Sequence, residues 1–142
     1  MTQMSQAEKQ NFLSQPHIGV LALNNPGQGP LTTPLWYDYT AGGEVSFIIA
    51  ANSRKAQLLQ TGARLSLVAQ EEKLPYSYVS IEGPVTAIEA ATQDSLLAMA
   101  KRYLGNEQGQ KYADASNVAD QIRVLVAPEK WLAVDYSKGS QA

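Results

Sequence analysis

Val45-Ser46-Phe47-Ile48-Ile49-Ala50-Ala51-Asn52-Ser53-Arg54-Lys55-Ala56 is the stretch on which the fold turns. Its first seven residues form an apolar run with β-branched and aromatic side chains, the make-up of a strand. The continuation, Lys55-Ala56-Gln57-Leu58-Leu59-Gln60, reads as a short helix, and Ser53 is a residue type that caps one. A strand therefore delivers a helix N-terminus carrying a hydroxyl and two adjacent cations. The first N–H groups of a helix lack internal partners, and the helix dipole favours negative charge there. Arg54 can grip a phosphate through two parallel hydrogen bonds, and Lys55 adds a second positive charge. Ser53 can cap the helix or donate to a phosphate oxygen. Two readings stay open on these residues alone: an anion site suited to phosphate, and an ordinary capped helix with two solvated cations.

The totals narrow the field. A chain of 142 residues is expected to form one domain over residues 1–142, with 1–4 and 137–142 as frayed ends. Hydrophobic content of 44% and charged content of 17% describe a globular protein, not a disordered one. A net charge of -2 argues against a general nucleic-acid binder. The absence of cysteine removes disulfides, thiolate metal sites and cysteine nucleophiles. With His17 the sole histidine, a histidine-rich metal site or a Ser-His-Asp triad has little to work with, and no metal is expected. Residues 1–15 are polar, without a signal peptide's apolar core, and no run approaches the roughly 20 apolar residues that span a membrane. The expectation is a soluble cytoplasmic protein with no membrane partner.

Working outward, Ser5-Gln6-Ala7-Glu8 has the form of a capping box before a short helix ending near Leu13. Residues 17–23 read as a first strand, apolar on both faces and so central. Asn24-Asn25-Pro26-Gly27-Gln28-Gly29-Pro30 is dense turn chemistry leading into a second strand over 31–39. Pro34 cannot donate to a ladder, which implies an edge, a bulge, or something other than a strand alongside. Residues 64–70 are another strand, and 76–89 a long one with a bulge expected at Gly83-Pro84. Residues 92–104 form the clearest helix, with Leu96, Ala100, Tyr103 and Leu104 on one face and Gly105 as its stop. Residues 109–117 read as a loop with a helical turn, and 121–127 and 131–136 as the last strands. Six or seven strands joined by tight turns, with three short helices, favour an antiparallel sheet closed into a barrel whose interior is filled.

The order of these pieces resembles the flavin-binding split β-barrel family, the pyridoxamine 5'-phosphate oxidase-like proteins, which include the deazaflavin (F420)-dependent reductases. Four segments carry the resemblance: Phe12-Leu13 running into Val20-Leu21-Ala22; Thr33-Pro34-Leu35-Trp36-Tyr37; Ser53-Arg54-Lys55-Ala56; and the Pro75 to Gly83 strand followed by Arg102-Tyr103-Leu104-Gly105. The resemblance implies a mainly β fold with short helices, an antiparallel split β-barrel that is FMN-binding-protein-like. It implies a homodimer with two cofactor sites at the subunit contact. Ser53, Arg54 and Lys55 would hold the cofactor phosphate. Thr33, Pro34, Leu35 and Trp36, with Ala50 and Ala51, would lie along the isoalloxazine ring. Trp131 and Arg123, in the C-terminal strands, would reach the partner's cofactor.

The chain departs from true pyridoxamine 5'-phosphate oxidase, being shorter and without that enzyme's C-terminal Arg- and His-bearing substrate segment, so the vitamin B6 substrate does not carry over. The Pro-Tyr-Ser-Tyr run and the Arg-Tyr-Leu-Gly helix end look closer to the deazaflavin-linked branch. Against that, only 4 of the 11 cations are Arg, fewer than the longer anionic tail of F420 would favour. FMN is therefore the expected cofactor and F420 the alternative. The expected activity is that of a flavin-dependent oxidoreductase moving hydride to or from a small-molecule substrate. The alternatives are an F420-dependent reductase and a non-catalytic flavin-binding or carrier protein. No catalytic side chain is assigned: Asp38 and Glu82 are single carboxylates on different strands, and His17 reads as a packed or surface histidine.

Overall fold

The computed structural model describes residues 2–139. Its spine is a 14-residue strand, β6 (Ser77–Ala90), whose two halves serve different neighbours. The first half pairs with β5 (Arg64–Glu71) on one edge and with β8 (Lys130–Asp135) on the other. The second half pairs with β7 (Gln121–Val126). β7 and β8 follow one another along the same edge, because Ala127 and Glu129 between them donate to the carbonyls of Pro84 and Glu82, both at 3.0 Å. A Cβ on Gly83 would stand 1.7 Å from the Ala127 carbonyl oxygen, so only glycine lets this connection lie against β6. The register shift comes between Val85 and Ala87, just beyond the expected bulge at Gly83-Pro84.

Beyond this spine, β5 pairs with β1 (Gly19–Leu23), and β1 with β2 (Leu31–Leu35). On the other side β7 pairs with β4 (Val45–Ala50), and β4 with β3 (Asp38–Tyr39). The path β2-β1-β5-β6-β7-β4-β3 is antiparallel throughout. Its first and last strands are separated by Trp36 and Tyr37 alone, a span of at most about 11 Å. The two ends therefore meet, and the sheet curls into a split β-barrel. Alternate residues fill the interior: Leu21 and Leu67 are fully buried, as are Phe47, Val79 and Val124. The expected filled barrel is what the chain builds.

The expected single strand over 31–39 is two strands in different halves of the sheet. Both backbone groups of Tyr37 bond to a helix instead of a strand. The N–H donates to the Tyr103 hydroxyl (3.1 Å), and the carbonyl accepts from Arg102 Nε (2.8 Å) and the Tyr103 hydroxyl (3.0 Å). β2 is an edge strand, which fits Pro34. β1 lies in mid-sheet but is covered on one face only, since Ile18 and Val20 are 50% and 37% exposed.

The helix α3 (Gln93–Asp114) reverses at Gly105, which has φ 84° and ψ 172°. Gly105 thus ends the first arm, as expected, but residues 106–114 form a second helical arm, more than the loop with a helical turn expected over 109–117. The arms are antiparallel: Gln93 Nε2 donates to the Ala113 carbonyl at 2.8 Å, although the two are 20 residues apart and a straight helix would separate them by about 30 Å. Gly109 permits the close contact, since a Cβ there would lie 2.7 Å from Lys101 Cα. Leu104, expected on the buried face, is 40% exposed because it borders the reversal.

The capping box on α1 (Gln6–Ser14) forms as read, with Ser5 and Glu8 bonding reciprocally. The ends expected to fray are anchored where they are described. Thr2 O accepts from Asp135 N at 2.7 Å, Met4 joins the core, and Lys138 pairs with Glu8 at 2.6 Å. Met1 and residues 140–142 of those expected ends lie outside the described residues. No helix among the described residues is long and apolar enough to cross a membrane.

Candidate functional site

β4 ends at Ala50, and the chain turns through Ala51 and Asn52 into Ser53. Ser53 adopts the extended conformation of an N-cap. Its hydroxyl is fully engaged locally, donating to Ala50 O (2.7 Å) and accepting from Ala56 N (3.2 Å). The helix α2 that follows, Arg54–Gln57, has four residues, where one over 53–60 was expected. So short a helix contributes little dipole, and the electrostatics of the turn come from its two side chains. Arg54 is oriented by neutral amides: Nη2 donates to Asn25 Oδ1 at 2.8 Å, and Nη1 reaches Gln57 Oε1 at 3.5 Å. Asn25 is itself buried in the β1–β2 turn. The other arginines, Arg64, Arg102 and Arg123, all bridge to carboxylates. Among the described residues Arg54 has no carboxylate partner, and Lys55 has no hydrogen-bond or ion-pair partner. The turn thus holds a fixed guanidinium and an adjacent ammonium whose charge no acidic group offsets.

A cavity of about 320 Å³ opens on the outer face of β4, roofed by both arms of α3. Leu35 and Trp36 form one wall, Ile48 and Gln121 the floor, and Tyr112 stands on the second arm. Ala50 is paired with Gln121, so the cavity floor runs straight into the Ser53 turn. The structure therefore groups Leu35, Trp36, the end of β4 and the cationic turn along one side of the molecule. Thr33 is half-buried, and Pro34 is exposed on the outer face of the edge strand. Ala50 and Ala51 are exposed. A larger depression of about 520 Å³ lies between α2 and the β1–β2 turn; its walls include Asn24, Gln57 and Gln60, and its Arg64 is already paired with Glu82 and Glu129.

Two expected residues sit elsewhere. Arg123 lies opposite Ile48 on the outer face of β7, but its guanidinium bonds Glu89 at 2.8 Å. Trp131 packs edge-on to Tyr39, with ring centroids 6.0 Å apart, beside the β3–β4 turn. That is the opposite end of β4 from Ser53, so within one chain Trp131 and the cationic turn are not brought together. Among the described residues no three His, Cys, Asp or Glu side chains group to hold a metal ion.

The family model for pyridoxamine 5'-phosphate oxidase matches residues 5–135. The chain belongs to the pyridoxamine 5'-phosphate oxidase family. Solved structures share the fold at low identity. A conserved hypothetical protein from Mycobacterium tuberculosis superposes with a TM-score of 0.76 at 23% identity, over 98% of this chain and 89% of that one. An F420 reductase gives 0.72 at 20% identity, over 87% and 94%. An FAD and heme binding protein from Mycobacterium smegmatis gives 0.67 at 16% identity, over 94% and 72%. No curated protein matches the chain in sequence.

Several residues that shape this member of the pyridoxamine 5'-phosphate oxidase family escaped the sequence reading. Asn25 lay inside a run read only as turn chemistry, although a buried amide there needs a partner. Tyr112 lay in the segment read as a loop. Arg102 was seen only as part of a motif, and Tyr103 as that and as part of a helix face, yet together they clamp the molecule. Arg102 donates to the carbonyls of Ser14 (2.6 Å), Gln15 (2.9 Å) and Tyr37 (2.8 Å), and the Tyr103 hydroxyl donates to His17 O (2.6 Å). Burial raises the pKa of both Tyr37 and Tyr103. It lowers that of His17, which stacks on Phe12 with ring centroids 4.2 Å apart.

Proposed function

We propose that the chain is an FMN-dependent oxidoreductase, with F420 as the alternative cofactor, acting on a small molecule as a homodimer. The observation that carries this reading is the Arg54-Lys55 turn. A guanidinium aimed by Asn25 and Gln57 and left without a carboxylate suits a phosphate. Both FMN and F420 carry one. When bound, such a cofactor supplies a ring that accepts and releases hydride. This chain's own residues would hold the phosphate through Arg54 and Lys55, with Ser53 fixing the turn rather than the ligand. Thr33 to Trp36 and Ala50 to Ala51 would orient the ring and exclude water from it. Trp131 and Arg123 would act on the partner's cofactor, since neither reaches the turn of its own chain.

The dimer reading rests on the outer face of the sheet. Pro34, Val20, Val68, Ser80 and Leu132 stand in one row across five strands, and Pro34, Val20 and Leu132 are exposed. Leu132 is 63% exposed and Ile18 50%, and exposed apolar residues on one sheet face are what an interface covers. The F420 reductase among the structural neighbours keeps the deazaflavin as the second reading.

The test is the absorbance spectrum of the protein purified without added cofactor, followed by titration with FMN and with F420. Tight FMN binding, lost at least tenfold in Arg54→Ala/Lys55→Ala with the dimer intact, is the expected result. Unchanged affinity in that variant overturns the phosphate site. Binding of F420 alone moves the chain to the deazaflavin reading, and binding with neither NAD(P)H consumption nor deazaflavin-dependent reduction marks a carrier.

A further inference from the structure

We infer that Asn25 is the residue that keeps the cationic turn open to anions: its uncharged carboxamide aims Arg54 without neutralising it, and a carboxylate in the same place would switch off selection for a phosphate. The inference rests on the phosphate reading above and adds to it a positioning residue from the far side of the barrel sequence. The other three arginines show the alternative. Arg64 lies 2.6 Å from Glu82 and 2.9 Å from Glu129, Arg123 lies 2.8 Å from Glu89, and Arg102 lies 3.6 Å from Asp38. A carboxylate at such range makes a stronger bond than an amide and cancels the cation's charge. Arg54 instead donates to Asn25 Oδ1 at 2.8 Å. A carboxylate would hold the guanidinium more tightly, so holding alone does not account for an amide. What the amide adds is direction with the positive charge left in place.

Asn25 is built to give that direction. It is only 8% exposed, although Asn24 before it is exposed. It is the first residue of the turn Asn25-Pro26-Gly27-Gln28, which Gln28 N–H closes on Asn25 O at 2.9 Å. Pro26 in second place and Gly27 at φ 76° in third are what a type II turn requires. The turn starts two residues after β1 ends at Leu23, so the carboxamide is tied to the sheet and not to α2. Arg54 is exposed, and an exposed arginine is ordinarily free to swing. The contact with Asn25 orders it in advance, so an anion that binds it loses less to side-chain ordering. Asn25 Nδ2 has no hydrogen-bond partner among the described residues, and exchanging that nitrogen for an oxygen therefore breaks no bond that holds the turn. Asn25→Asp changes the charge at this point and keeps the shape.

The test compares ligands that differ by the phosphate: FMN against riboflavin, and F420 against its phosphate-free deazaflavin core, each titrated into the purified protein. The wild-type chain should bind the phosphate-bearing member of a pair at least tenfold more tightly. Asn25→Asp should lower that preference at least tenfold, leave the phosphate-free member's affinity within twofold, and melt at no lower temperature than the wild type. Asn25→Ala, which removes the aim and not the charge, should lower the preference at least threefold, and should have no effect on it once Arg54→Ala is present. Asn24→Asp places the same charge one residue away, without a bond to Arg54, and should change the preference less than threefold. The inference is overturned if the wild type shows the preference and Asn25→Asp keeps it, if Asn25→Asp weakens both members alike, if Asn24→Asp acts as strongly, or if Asn25→Ala has its full effect without Arg54. Equal binding of both members by the wild type, or binding of neither, sinks the phosphate reading and this inference with it.

Discussion

Arg54 and Arg102 look alike in the sequence. Each has a lysine beside it, and each opens or lies within a helix. In the structure they are opposites. Arg102 is nearly buried, its side chain 13% exposed, and its donors meet carbonyls of α1 and the β2–β3 junction. It also lies over the rings of Tyr37 and Tyr103 at 5.1 and 5.6 Å. Arg54 is exposed and touches two neutral amides. The difference is between a cation whose donors the fold consumes and a cation whose direction the fold sets while leaving its charge available. Only the second can serve a ligand.

The comparison breaks most visibly through Arg102→Ala. Its removal takes the charged donor away from the carbonyls of Ser14, Gln15 and Tyr37 at once, and the loss should be about 3–5 kcal/mol. A Tm lower by roughly 10 °C in thermal denaturation checks it. Tyr103→Phe keeps the ring against Trp36 and deletes only the bridging hydroxyl. A loss of about 1–2 kcal/mol in urea denaturation is expected. Arg54→Ala should cost no more than about 1 kcal/mol, since an exposed hydrogen bond to a neutral amide contributes little. If Arg54→Ala destabilises as much as Arg102→Ala, the contrast fails and Arg54 is structural.

The smallest effect is a pH dependence on the Arg102 side of the comparison. Burial holds the His17 pKa below its ordinary 6.5, against an opposing pull from Glu71. The imidazole is thus neutral in the fold and takes up a proton more readily in the unfolded chain. Stability is complete above pH 6.5 and falls as the pH drops from there toward the lowered folded value. His17→Phe should flatten the urea midpoint between pH 7.5 and 5.5. Glu8, held at about 2 mainly by Lys138, acts only in stronger acid, its contribution fading from pH 4.5 downward.

Most of the strands were legible because alternation and turn residues are local signals. Pro34 narrowed its position to an edge, a bulge or a non-strand neighbour, Gly105 announced a helix end, and Ser5 with Glu8 a cap. The break at Trp36-Tyr37 left no such signal, since both residues favour strands and what interrupts them is Tyr103, 66 positions away. The second arm of α3 was hidden because residues 106–114 bury only Gly109 and Ala113 and carry no apolar stripe. At the candidate site, the cationic turn was readable from residue types. Its orientation by Asn25 was not, because a buried amide and a solvent-facing one are the same letter.

β7 comes late in the chain and yet sits between two strands made much earlier. It separates β4, some 75 residues upstream, from the second half of β6. Until it arrives, the growing polypeptide holds two sheet fragments with facing open edges. A nascent chain halted before residue 121 has no native way to join them, and its exposed edges are free to pair with other chains. Closing so long a loop carries a large entropic cost before any contact repays it, which places refolding toward the slow end for a chain of this size. The split in the barrel is therefore also a clock: the molecule acquires its fold only when nearly all of it has been synthesised.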